Sequence, residues 1–257
     1  MTTNISVLLP TYNNATLLRG CMESVAWADE ILVVDSFSSD GTPELARELG
    51  ARVLQHEYLN SGQQKNWAIP QCGCEWVLQL DTDERLPADA AGAITRAVAD
   101  APADLHAYRL PRRNEVLGAW LQIENLYPDY QTRLFRRERG RFQDKEVHAH
   151  VRVPGRVATL AVPILHFGMP HIAKQLANLD RYTRYGADEL RKRGKRFHWY
   201  QLALRPLALF AYYYMWKRGF TAGYRGLLVA ILNVTFDFWT HAKLWELETL
   251  RLPSSPR

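Results

Sequence analysis

Four short apolar runs in the first hundred residues each lead into polar residues and then a helical pattern, and this rhythm restricts the fold more than any other feature. Residues 5–9 (ISVLL) stop at Pro10-Thr11-Tyr12-Asn13, and residues 31–34 (ILVV) stop at Asp35-Ser36. Residues 52–54 begin a third run, and residues 76–80 (WVLQL) stop at Asp81-Thr82-Asp83-Glu84. Between them, Leu17, Leu18, Cys21, Met22 and Val25 recur at helical spacing after the cap candidates Asn13 and Asn14. Ser39-Asp40-Gly41-Thr42-Pro43 opens a second helix and Gly50 closes it. Residues 62–69 and about 88–98 supply two more. Strand followed by helix, four times over, predicts a mainly parallel twisted sheet flanked by helices. Ligands of such sheets bind beyond the carboxyl ends of the strands, so the three polar clusters should line one crevice.

The remainder divides in two. Residues 105–167 alternate strand-like runs (106–110, 131–135, 147–153 and 157–165) with polar turns, which predicts a mixed extension of the sheet. Residues 171–257 read as helical, basic and aromatic. The expected division is therefore a sheet domain over 1–170, with a first half near 1–100 and a second half near 101–170, and a helical region over 171–257. Charge follows the same boundary. Residues 1–170 carry 17 Lys and Arg against 21 Asp and Glu, whereas residues 171–257 carry 15 against 6. A basic block of this kind suits an anionic partner. Its longest charge-free runs, 206–216 and 226–236, have 11 residues each. A spanning helix needs about 18–20. Interfacial helices are therefore predicted, with packed core helices as the alternative. No recognition motif accompanies the charge, which disfavours nucleic acid. No Gly-x-Gly-x-x-Gly follows the first strand, which disfavours a dinucleotide oxidoreductase. Cys21, Cys72 and Cys74 read as reduced core or near-core residues in a reducing compartment. The first residues lack the basic and apolar regions of a signal peptide.

Three carboxylates within four residues at the end of a core strand pose a choice between a cation site and a solvated acidic loop. In an extended segment Asp81 and Asp83 point to the same side, which suits a shared cation. Glu84 reads as a solvated acid or a helix-start acid.

The stretches SVLLPTYNN, EILVVDSFSSDGT, GQQKNWA and WVLQLDTDE, in this order, resemble the nucleotide-sugar domain of family 2 glycosyltransferases, which have the GT-A fold. YPDYQTRLFRR, VHAHV and the basic aromatic tail resemble the branch that adds β-1,4-glucose to a lipopolysaccharide-core heptose. The resemblance implies a metal-dependent inverting transfer, with UDP-glucose or a relative as donor and a glycolipid as acceptor. The enzyme would sit in the cytoplasm, peripheral on the inner face of the cell membrane. Transfer to a polyprenyl phosphate, and a non-catalytic nucleotide-sugar binding protein, are the alternatives.

Within that frame Pro10, Thr11 and Tyr12 are donor-binding candidates: a Tyr face can stack on a base and a Thr hydroxyl can bond a carbonyl edge. Asp35 can accept from a uracil N–H, and Lys65 can face a phosphate. The resemblance makes Asp83 the direct ligand of Mg²⁺ or Mn²⁺, and turns Asp81 toward the ribose or a metal-bound water. One base suffices for inversion. Asp129, in a turn before a strand of the acceptor half, is the candidate, with Glu124 and Asp144 behind it. His148 and His150 alternate onto one face as metal, acceptor or pyrophosphate contacts, with His150 taken as the metal ligand. Arg133, Arg136 and Arg137 are candidates for anionic acceptor groups, or else exposed strand charges.

Overall fold

The computed structural model describes residues 4–121, 123, 127–143, 150–169 and 171–250. The chain forms two compact units: residues 1–114 with 128–168, and residues 115–127 with 169–257.

The first unit begins with the predicted alternation. It runs β1 (Ile5–Thr11), α1 (Ala15–Ser24), β2 (Glu30–Asp35), α2 (Thr42–Glu48), β3 (Arg52–Gln55), α3 (Ser61–Ala68) and β4 (Trp76–Gln79). A two-residue strand, β5 (Glu84–Arg85), precedes α4 (Ala90–Ala99). The later strands are β6 (Leu105–Val116), β7 (Ala119–Trp120), β8 (Asp129–Arg136), β9 (Arg141–Phe142), β10 (Val151–Arg152), β11 (Arg156–Thr159) and β12 (Ile164–Met169). The main sheet has the order β3-β2-β1-β4-β8-β6-β12-β5. β1 to β4 pair in parallel, while β8 lies antiparallel to both β4 and β6. The second half thus extends the first as a mixed sheet.

Burial on both faces explains why the first strands read as nearly continuous apolar runs. Alternation along β1 sends Ile5, Val7 and Leu9 into a core with Leu18, Cys21 and Met22 of α1 and Ile94 of α4. Leu8 turns to the other face, with Val34, Val77, Ala68, Phe135 and Phe142. Burying each such side chain contributes about 1.5–3 kcal/mol. Gly41 caps α2 at φ +81°, a conformation that costs an L side chain but not glycine. Cys21 and Cys72 are buried, Cys74 is half-buried, and all three are free thiols.

The second unit is helical: α5 (Ile172–Lys192), α6 (Tyr200–Ala203), α7 (Arg205–Ala211), a π turn at Tyr212–Trp216 and α8 (Gly223–Thr249). Lys243 of α8 bonds the Asp180 carboxylate of α5 at 2.8 Å. Arg205 of α7 grips Asp237 of α8 through two bonds of 2.8 and 2.9 Å. Val116, Leu121 and Ile123 form a small core with Ala222 and Val229. α8 has 27 residues, or about 40 Å at 1.5 Å per residue. By length and composition alone it can cross a bilayer, although the charge-free runs predicted no helix able to do so. The count was broken at Asp237, whose charge Arg205 neutralises inside the unit.

Candidate active site

The carboxyl ends of β1 and β2 are tied to each other. Thr11 and Asp35 are register partners, and Ser36 N–H donates to the Thr11 carbonyl at 3.0 Å. Asp35 is fully buried. Its Oδ2 accepts from Ser38 N–H at 2.9 Å and from Gln55 Nε2 at 3.3 Å, and the Ser38 hydroxyl donates to its Oδ1. Asn13, at φ 49°, accepts Ser39 N–H at 2.9 Å and donates its own N–H to Ser38 Oγ at 2.8 Å. The Thr11 hydroxyl is buried yet has no hydrogen-bond partner among the described residues. Such a group costs about 1–3 kcal/mol until something bonds it. Tyr12, next in the chain, and Phe37, two residues after Asp35, stand 59% and 60% exposed. Two uncovered aromatic faces, a buried carboxylate and an unused hydroxyl suit a planar hydrogen-bonding ring. Pro10 pairs with Val34 in the sheet just before this corner.

The acidic cluster does not follow the extended geometry expected of it. Glu84 N–H donates to the Asp81 carbonyl at 2.9 Å, closing a turn through Thr82 and Asp83. The turn replaces strand alternation, so the two aspartates face different partners. Asp81 meets Lys65 Nζ at 3.4 Å, Arg133 Nη2 at 3.1 Å and Gln79 Nε2 at 3.0 Å. Burial pushes its carboxyl up, but the Lys65 and Arg133 charges and the bonds from Arg133 and Gln79 outweigh that and hold it well below the usual range. Asp83 lies 3.7 Å from His166 Nε2, and its carbonyl accepts Phe167 N–H at 2.8 Å.

Glu84 corrects the sequence reading most sharply. It is neither solvated nor at a helix start but 0% exposed in β5. Its Oε1 accepts Arg133 Nη2 at 2.7 Å and meets Arg112 Nη1 at 3.5 Å, while Oε2 accepts Asp81 N–H at 2.9 Å. Burial, opposed by Arg133 and aided by the Asp81 charge, raises its carboxyl above the ordinary value. The physical reason for the difference is pairing. β5 joins β12, with Glu84 opposite His166, and β8 brings Arg133 over the acid.

Arg133 is buried rather than displayed on a strand surface. It serves Asp81, Glu84 and, through Nη1, the Gln79 side-chain oxygen, while its Nε is buried without a partner among the described residues. Arg136 binds Glu75 and the Leu105 carbonyl, and Arg137 binds the Cys72 carbonyl. Asp129 starts β8 opposite Arg112 of β6. Arg112 Nε and Nη2 donate to its Oδ2 at 2.9 and 2.7 Å, and Gln131 Nε2 donates to Oδ1 at 2.6 Å. A cavity of about 230 Å³ brings Lys65, Asp81, Arg112, Tyr130, Arg133 and His150 together. Asp83 is not on its wall. His148, Glu124 and Asp144 lie outside the described residues.

Sequence reasoning missed Phe37, Arg112 and His166. Phe37 carried a signal, an aromatic directly after a polar strand end. His166 carried none, because it meets Asp83 only through the pairing of β12 with β5. Its Nδ1 lies 2.7 Å from Asn114 Oδ1. An amide oxygen only accepts, so Nδ1 is the donor in that bond and Nε2 is the nitrogen left facing Asp83. The 3.7 Å between Nε2 and the Asp83 carboxylate leaves the two spaced as side-chain ligands of one cation would be. Among the described residues no group of three or more His, Cys, Asp or Glu side chains gathers, so any such ion would take its other ligands from elsewhere. That donor set suits Mg²⁺ or Mn²⁺, which bind through one or two protein groups with phosphates and water.

The chain is similar to known glycosyltransferases along nearly its whole length. Lipopolysaccharide core biosynthesis glycosyltransferase LpsC of Rhizobium meliloti (strain 1021) is 27% identical over 254 residues, covering 96% of this chain and 94% of its own. An uncharacterized glycosyltransferase of Rickettsia bellii (strain RML369-C) is 27% identical over 258 residues, covering 96% and 88%. Among solved structures, S. aureus TarS 1-349 in complex with UDP-GlcNAc superposes with a TM-score of 0.50 at 13% identity, covering 96% of this chain and 92% of that one. Residues 6–156 match Glycosyl transferase family 2, more than half of the chain. The chain belongs to glycosyltransferase family 2, as an enzyme with a GT-A fold.

Proposed function

We propose that this enzyme moves a hexose, from UDP-glucose or a close relative, onto a heptose hydroxyl of a lipopolysaccharide inner core, with inversion. The observation that carries the donor reading is the buried, unpartnered Thr11 hydroxyl beside Asp35. A uracil ring between Tyr12 and Phe37 would offer a carbonyl to Thr11 and an N–H to Asp35. Lys65 on the cavity wall is the cation for the diphosphate, with His150 beside it. The glycolipid acceptor is supported by the near full-length similarity to LpsC.

In the reaction the acceptor oxygen bonds to the anomeric carbon while the bond from that carbon to the diphosphate breaks. The electron pair leaves with the nucleoside diphosphate, and Asp129 takes the acceptor proton. Arg112 and Gln131 hold the Asp129 carboxylate in one orientation, so it needs no rearrangement before the proton moves. Asp83 and His166 are the protein ligands we assign to Mg²⁺ or Mn²⁺, which when bound supplies positive charge to the leaving diphosphate. The basic helical unit, with Trp199, Leu207 and Trp216 exposed, supports a peripheral position on an anionic membrane face.

UDP release in the presence of Mn²⁺ and a heptose-terminated core lipid tests the reading. Asp83→Ala is expected to lower turnover at least about 100-fold, the scale on which removal of a charge-stabilising group acts. Turnover equal to that of the parent would contradict the site. Retained transfer in Asp129→Asn would favour an acceptor that is already an anion, such as a polyprenyl phosphate.

A further inference from the structure

We propose that the helical unit has a ligand site of its own, a cationic cavity at the end of α5 that takes the phosphate-ester headgroup of an anionic membrane lipid. The inference rests on the membrane position proposed above and adds a specific headgroup site to it. The cavity measures about 810 Å³ and lies among the last turns of α5, the connector that follows it, Arg205 of α7 and the middle of α8. Pockets of about 300–1,000 Å³ hold small ligands.

The charges are unequally satisfied. Arg205 is committed to Asp237, and Arg193 to Glu189. Lys195 and Arg196 also line the cavity, are exposed, and pair with no carboxylate among the described residues. The lining therefore holds four Lys and Arg against two acids. The end of α5 does not account for this surplus. Gly194, at φ +69°, reverses the chain, Lys195 N–H donates to the Leu190 carbonyl at 3.0 Å and Gly194 N–H to the Arg191 carbonyl at 2.9 Å. This backbone closure satisfies the last carbonyls. Arg191 and Lys192 already stand in the last turn, where cations answer the helix dipole. Lys195 and Arg196 come after it, so their charge stays available to a ligand anion.

An apolar surface identifies the source of that anion. The chain leaving the cavity carries Trp199 at 68%, Leu204 at 56% and Leu207 at 70% exposure. A free phosphate ester gives these side chains nothing to cover them, whereas a lipid brings acyl chains attached to its headgroup. Trp is suited to that boundary because its ring is apolar and its N–H is polar.

The test is binding of the full chain to vesicles of phosphatidylcholine, alone or with one-fifth phosphatidylglycerol, with and without glycerol 3-phosphate. The parent is expected to prefer the anionic vesicles, and Lys195→Gln with Arg196→Gln to lose about 30-fold of that preference, as two near-surface cations should. Binding to phosphatidylcholine alone should not change. Arg181→Gln with Arg184→Gln removes two cations of α5 away from the cavity and should keep most of the preference. Equal losses in the two pairs would reduce the effect to diffuse attraction and overturn the site. Equal parent binding to both vesicles overturns the site but leaves the membrane position standing, whereas no binding to either overturns the membrane position itself. Millimolar glycerol 3-phosphate that abolishes the preference, and raises the melting temperature as much as vesicles do, would assign the cavity to a soluble ester and refute the lipid source.

Discussion

Replacing Glu84 by Ala is the sharpest test of the acidic turn. The carboxylate is fully buried and receives Arg133 at 2.7 Å, Arg112 at 3.5 Å and the Asp81 N–H at 2.9 Å. Removing it leaves a buried guanidinium with one carboxylate fewer and a backbone donor with no acceptor. Breaking a buried pair from one side costs about 3–5 kcal/mol, and the orphaned N–H accounts for about 1–3 kcal/mol of the same loss. In a domain of this size 1 kcal/mol corresponds to about 2–4 °C, so the melting temperature should fall by about 10 °C. Glu84→Gln keeps an oxygen for the Asp81 N–H and is neutral in a site whose burial already raises the carboxyl, so it should fall much less than the alanine variant. Thermal unfolding followed by circular dichroism, with urea titration at one temperature, measures both variants. A fall under about 2 °C for the alanine variant would return Glu84 to the solvated acid that its sequence context suggested, and with it the claim that β5 and β8 enclose the turn would fail.

Thr11→Val replaces an unbonded buried hydroxyl with a methyl group of similar size. It should leave the stability of the free enzyme unchanged or slightly raised, while calorimetry with UDP shows roughly tenfold weaker binding. Equal UDP affinity in the two proteins would remove Thr11 from the donor site. Acid stability should depend on two opposing carboxylates. Asp81, held below its ordinary 3.8, contributes stability that is present above that value and lost as pH falls toward the depressed one. Glu84, raised above its ordinary 4.5, favours the folded state while protonated and withdraws that support as pH rises through and beyond 4.5. Glu84→Gln therefore leaves Asp81 unopposed, and its urea midpoint should fall more steeply below pH 4 than the parent's. Parallel profiles would refute the opposition.

The sequence by itself determined the layered sheet and the crevice at the carboxyl ends of its strands. Apolar runs such as 5–9 and 76–80 have no polar face and must be covered on both sides, and helical spacing between them supplies the cover. The positions of Thr11, Asp35 and Asp81 at or just beyond strand ends, and of Lys65 on the helix before β4, were legible from local rules. Only the tertiary structure decided what the acids do. A turn at 81–84 separated Asp81 from Asp83, a two-residue strand buried Glu84, and β8 and β12, about 50 and 80 residues further along the chain, delivered Arg133 and His166 to them. Strand alternation describes a segment only while a neighbour holds it extended. Whether an acid is solvated or buried depends on partners that sequence distance conceals. The same holds in the helical unit, where Arg205 cancels the charge of Asp237 that divided α8 into two short apolar runs on paper.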